Sequence, residues 1–94
     1  MRIRWLTGAI RSMRTAHRYV AAENPEAAAK VVACVESAVE RLAKHPSSGR
    51  TGRRPGTREL VVPGIPFVII YRVDDAEVVI LRVYHTSRNW QILV

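Results

Sequence analysis

The sequence contains one cysteine, Cys34, so no disulfide can form within the chain. A lone cysteine on a helical pattern reads as a small core residue, and a reducing cytoplasm fits it. No apolar run approaches the roughly 20 residues that a membrane-spanning helix requires. Residues 1–20, MRIRWLTGAIRSMRTAHRYV, carry a charge every few positions and lack the continuous apolar stretch of a signal peptide. Zinc-ligand spacing is absent, and neither a metal nor a cofactor is expected. Lysine is scarce, with two against thirteen arginines. Acid is missing from two long stretches: residues 1–22 hold five arginines, and residues 41–58 hold Arg41, Lys44, Arg50, Arg53, Arg54 and Arg58.

What is present is a chain of 94 residues that is 48% hydrophobic, too apolar to be disordered. That length makes one domain, residues 1–94, burying roughly 60% of its unfolded surface. The formal net charge is +7, with the acids gathered in residues 23–40, at Glu59 and in the 74–77 turn. Such asymmetry points to a polyanionic or acidic partner. The arginine excess fits bidentate recognition of phosphate or carboxylate, and codon bias explains it equally well.

Periodicity divides the chain into elements. Ile3 and Trp5 alternate with Arg2 and Arg4 as a short strand. Thr7 then suits the cap of a helix whose apolar line is Ile10, Met13, His17 and Val20, beside a stripe of Arg11, Arg14 and Arg18. Asn24-Pro25 restarts the chain as a helix, an N-cap residue followed by proline at the first helical position. Its apolar face is Ala28, Val31, Val32, Val35, Ala38, Val39 and Leu42, and Pro46 prevents continuation. So short a connection makes the two helices an antiparallel hairpin. Residues 46–57, PSSGRTGRRPGT, read as a long loop. Three strands follow at 58–62, 67–73 and 78–85, separated by the turns PGIP and DDAE, which predicts an antiparallel meander.

Strand parity places apolar residues on both faces of that sheet, and one helical hairpin covers one face. The uncovered face is expected to expose Val61, Val68, Ile70, Val78 and Ile80, an apolar patch that a partner protein would cover. The alternative is a sheet curled enough to bury both faces alone. The segment LRVYHTSRNW, residues 81–90, ends the last strand and releases Tyr84, His85, Arg88 and Trp90 within seven positions. This cluster can be catalytic, a contact surface, or an anchor that packs the chain end against the helices.

Taken in order, Trp5, ENPEAA, ERLAKHPSSGR, PGTRELVVPGIPFVIIYRV and LRVYHTSRNW resemble the RelE/ParE superfamily of type II toxin–antitoxin toxins, across essentially the whole chain. The resemblance implies an α+β fold: an N-terminal strand, an antiparallel helical hairpin, then a three-stranded antiparallel meander, with the hairpin packed on one face of a twisted sheet. It also implies a cognate antitoxin whose C-terminal segment wraps the toxin in a hetero-oligomer, with Val61, Val68, Ile70, Val78 and Ile80 as the contact set. Family members often carry proline where this chain has Gly8.

Two activities occur on this fold: cleavage of mRNA in the ribosome by RelE-like members, and inhibition of DNA gyrase by ParE-like members. The lysine positions of RelE on its second strand fall on Glu59 and Val61, and its third-strand arginine falls on Val68. Arg88 matches a C-terminal arginine, while Trp90 stands near where RelE offers tyrosine. Most of the cutting constellation is therefore missing, which favours gyrase inhibition without catalysis. On that reading Arg50, Arg53, Arg54, Arg58, Arg82, Arg88 and Trp90 are the target contacts. In the ribonuclease alternative, His85 serves as base or acid, Arg82 and Arg88 hold phosphate, and Tyr84 stacks or donates. A third class, a basic nucleic-acid-binding module, follows from charge alone.

Overall fold

A computed structural model describes residues 1–87. Two helices pack on a mixed sheet of five strands, in the order β1-β5-β4-β3-β2. The strands are β1 (Arg2–Trp5), β2 (Arg50–Thr51), β3 (Arg58–Val61), β4 (Phe67–Asp74) and β5 (Glu77–His85), and the helices are α1 (Thr7–Ala21) and α2 (Pro25–Lys44). β3, β4 and β5 form the expected antiparallel meander. β1 lies parallel to β5 at one edge, pairing Arg2 with Glu77 through Trp5 with Ile80.

The helix α2 begins where its sequence dictates. The Asn24 side chain accepts a bond from the Ala27 N–H at 3.1 Å, Pro25 opens the first turn and Glu26 faces the positive end of the dipole. Ala28, Val31, Val35, Ala38, Val39 and Leu42 are buried along one side. The start of α1 is built differently. Thr7 is its first helical residue and not its cap; Leu6 occupies the cap position, with no side-chain bond and no acid in the first turn. The apolar line of α1 is also rotated from the expected one. Ala9 and Ala16 are buried, with Met13 and Val20 packed beside them, whereas Ile10 and His17 are exposed. Small residues let α1 approach β5 closely, and that close approach selected the alanine side over the Ile10 side.

Parity along β5 is broken by a bulge. Ile70 pairs with Arg82 and Tyr71 with Ile80, which leaves Leu81 without a partner on β4. An extra residue reverses the side on which every later residue emerges. Val78, Ile80 and Val83 therefore share the helix-covered core with Phe67, Ile69 and Tyr71. This corrects the expectation that Val78 and Ile80 lie on an uncovered face. Val68 and Ile70 do occupy the other side, but they are buried with Leu81 and Tyr84 in a second, smaller cluster. Of the five residues expected to be exposed, only Val61 is, at 53%.

Residues 46–57 are not a plain loop either. Arg50 and Thr51 form β2 and pair with Glu59 and Arg58, so that the segment folds back as a hairpin on the outer edge of the sheet. Its tip turns through Gly56 at φ 77°, a conformation that glycine adopts without steric cost.

Candidate functional site

The end of β5 does not gather its polar side chains at one point. Arg82 Nη1 donates to the carbonyl of Leu81 at 2.6 Å, and its guanidinium lies against Gly8 in the first turn of α1. Tyr84 packs with Val68 and Ile70 in the second cluster. His85 is in register with Phe67, a residue of the helix-covered core, and the two rings meet edge to face at 5.2 Å. A cleft of about 100 Å³ opens beside His85 and Tyr84, with Ser12, Thr15 and Tyr19 of α1 on its far wall. The Ser12 hydroxyl is already engaged there: it donates to the Ala9 carbonyl at 2.9 Å and accepts from the Val83 N–H at 2.9 Å. Arg88 and Trp90 lie outside the described residues.

The imidazole of His85 is held through one nitrogen. The backbone N–H of Ser87 donates to Nδ1 at 3.1 Å, and Ser87 Oγ lies 2.7 Å from the same atom. A nitrogen that accepts an N–H bears no proton, so the neutral ring carries its proton on Nε2. Its one lone pair thus points at Ser87. A general base needs that lone pair aimed at a substrate hydroxyl.

The arginines of the β2–β3 hairpin divide into two kinds. Arg50 Nε and Nη2 donate to Glu59 Oε1 at 3.2 and 3.0 Å, and the backbone N–H of Arg53 donates to Glu59 Oε2 at 2.9 Å. Glu59 is 3% exposed and is the one buried charged residue among those described. Arg58 Nη1 reaches back to the carbonyl of Gly49 at 2.8 Å. Arg50 and Arg58 therefore hold the hairpin together, although both reach its surface. Arg53 and Arg54 stand exposed at its tip. Behind the hairpin, the Tyr71 hydroxyl donates to the Pro46 carbonyl and accepts from the Gly49 N–H, each at 2.8 Å. Burial pushes the Tyr71 hydroxyl pKa above its ordinary value, against smaller opposing effects from the Gly49 bond and Arg58.

A further surface lies between the helices. Trp5, Ile10, Met13 and Val32 line a cleft of about 640 Å³ together with Arg14, His17 and Arg18. Ile10 is 41% exposed within it. The sequence carried a signal for this groove, since Ile10 and His17 alternate with the arginine stripe, but the same spacing also fits a core-facing line. Glu59 and Tyr71 gave no such signal: their partners are 6 to 25 positions away.

The model of the ParE toxin of the type II toxin–antitoxin system parDE matches residues 3–90. Y4kP of Sinorhizobium fredii, named as a toxin, is 45% identical over 89 residues, which cover 95% of this chain and 92% of that protein. Toxin RelE2 of Caulobacter vibrioides is 31% identical over 84 residues, covering 89% and 93% respectively. Among solved structures, the chromosomal ParDE system of P. aeruginosa superposes with a TM-score of 0.79 at 29% identity, over 93% of this chain and 97% of that one. The toxin–antitoxin complex RelBE2 of Mycobacterium tuberculosis gives 0.61 at 31% identity, over 89% and 95%. Matched along nearly its whole length and sharing the two-helix, five-strand architecture, this chain belongs to the ParE toxin family, within the RelE/ParE superfamily of type II toxin–antitoxin toxins.

Proposed function

We propose that this toxin arrests growth by binding DNA gyrase in the cytoplasm, and that a cognate antitoxin neutralises it. The observation that carries this reading is Glu59. Cleavage of RNA by attack of a 2′-hydroxyl builds negative charge on a phosphorane, which cations must steady. At the positions where RelE-like ribonucleases carry lysines, this chain has a buried carboxylate tied to Arg50, and Val61. With its charge taken up by Arg50, Glu59 supplies no cation where a nuclease needs one, and neither does Val61. The engaged lone pair of His85 and the divergence of Arg82, Tyr84 and His85 support the same conclusion.

An antitoxin is supported by the two structural relatives, which are toxin–antitoxin systems. Among the described residues, the exposed apolar surface open to it includes Val61 and the groove between the helices. Val68, Ile70, Val78 and Ile80 are buried within this chain and offer an antitoxin no contact surface.

Ribonuclease action remains the second reading because RelE-named relatives share the fold and His85 borders a cleft. His85→Ala separates the two. Growth inhibition by the folded variant is expected to stay within about threefold of the parent. General acid–base catalysis contributes roughly 10²–10⁴-fold, so a nuclease that depended on His85 would lose its toxicity. Loss of toxicity with an unchanged circular dichroism spectrum would transfer the function to RNA cleavage.

A further inference from the structure

The tip of the β2–β3 hairpin concentrates positive charge without an aliphatic or aromatic contact surface. This tip, residues 51–57, reads TGRRPGT, and its single apolar residue is Pro55. Protein interfaces are centred on buried aromatic and aliphatic anchors, with charge at the rim. A surface made of arginine, glycine and threonine suits a partner that is itself a regular array of charge. The hairpin is also ordered from within. Glu59 takes the Arg50 guanidinium and the Arg53 N–H, the Gly52 N–H bonds the Thr57 carbonyl at 2.7 Å, and the Thr57 hydroxyl bonds the Arg54 carbonyl at 2.6 Å. Neighbouring like charges repel, and a flexible loop would spread them apart. Here a buried carboxylate fixes the backbone that carries Arg53 and Arg54, and the entropy of ordering them is met on folding and not on binding.

We propose that this hairpin is a pre-ordered contact for the phosphodiester backbone of duplex nucleic acid, with Arg54 as a contact residue and Glu59 as the positioning residue beneath it. The proposal rests on the toxin reading above, and it holds for either target, since gyrase and the ribosome both carry nucleic acid. Arginine's planar fork matches phosphate oxygens in pairs, which lysine cannot do. Backbone contact of this kind is independent of sequence and weakens as salt displaces it.

The test uses the full-length toxin and a labelled DNA duplex of arbitrary sequence, without gyrase, ribosomes or antitoxin. Failure of the gyrase reading would therefore leave its outcome untouched. Affinity is measured by fluorescence anisotropy from about 50 to 200 mM salt for the parent, Arg54→Gln and Glu59→Gln. Loss of one phosphate contact makes the slope of log affinity against log salt shallower by about 0.9, and this is expected for Arg54→Gln.

Glu59→Gln gives the sharper result. It adds one unit to a net charge of +7. If the chain attracts DNA only through its overall charge, this variant binds more tightly than the parent. If Glu59 positions the hairpin, it binds more weakly, by roughly threefold or more, while circular dichroism shows the fold intact. Unchanged or tighter binding by Glu59→Gln would overturn the positioning role. An unchanged salt slope for Arg54→Gln would overturn the contact, and that variant carries the test should Glu59→Gln fail to fold. Poly-glutamate of matched charge is the competing probe. If it displaces the duplex as well as unlabelled DNA does, the hairpin recognises acidic protein and the proposal fails.

Discussion

The middle of the sheet and the arginine hairpin on its edge are held by different forces. Between Phe67 and Val83, β4 and β5 are locked by apolar side chains such as Ile69, Ile80 and Val83, packed under Val35 and Leu42 of α2. The hairpin has no such core. Its order comes from one buried carboxylate, two arginines turned inward and a tyrosine hydroxyl that reaches it from the sheet. Tyr71 belongs to both regions, its ring fully buried among the apolar residues and its oxygen bonded to the hairpin's first turn. Apolar packing is non-directional and tolerates exchange, whereas the polar contacts of the hairpin need particular atoms in particular places. The centre therefore sets stability, and the edge sets which groups the molecule presents.

Substitutions graded by size test that division. Ile69→Ala removes a fully buried side chain from the centre and should cost roughly 2–5 kcal/mol in urea unfolding, with sheet and hairpin lost in one transition. Tyr71→Phe keeps the ring and strands the buried Gly49 N–H, for about 1–3 kcal/mol. It should also remove a pH dependence. The folded pKa of Tyr71 is raised above its ordinary 10.0, so the stability it contributes is complete below that value and is lost as pH climbs through the folded one. A parent whose stability falls faster than that of Tyr71→Phe in this alkaline range would confirm the sign.

Glu59→Ala should separate edge from centre most clearly. Arg50 is 62% exposed and regains water when its partner is removed, so global stability is expected to fall by only about 1–2 kcal/mol. Trypsin should cut the Arg53–Arg54 bond much faster, since that backbone loses its anchor; Arg54–Pro55 is protected by the proline. Equal loss of global stability and of protease resistance would show that hairpin and sheet are one unit. The smallest effect belongs to the start of α1. Gly8→Ala improves helix propensity by up to about 1 kcal/mol, but places a methyl group where the Arg82 guanidinium lies. The single variant should be near neutral, and the double variant with Arg82→Ala more stable than Arg82→Ala alone by thermal melting.

The same contrast explains what the sequence disclosed. Asn24, Pro25, Glu26 and the apolar period of α2 act within a few residues of one another, and the helix they specify is the one observed. The turns at PGIP and DDAE likewise gave the meander. The bulge at Leu81 has no local signature, because it depends on how β4 and β5 fit together, and it leaves Val78 and Ile80 on the opposite face from Arg82 and Tyr84 although all four share strand parity. β2 was hidden in a stretch rich in proline, glycine and serine, since its pairing depends on Glu59 and Arg58 across the turn. At the candidate site, the residues of the strand end were legible as a list, but their divergence was not. Arg82 turns toward α1, Tyr84 packs on one face and His85 on the other, and each direction is set by neighbours far away in the chain.

A supercoiling assay with purified DNA gyrase decides whether gyrase is the target, adding the toxin alone and then the toxin preincubated with its antitoxin. Inhibition with accumulation of linear, cleaved DNA, reversed by the antitoxin, is expected of a toxin that binds gyrase. Full supercoiling in the presence of folded toxin that still arrests growth would contradict the gyrase reading.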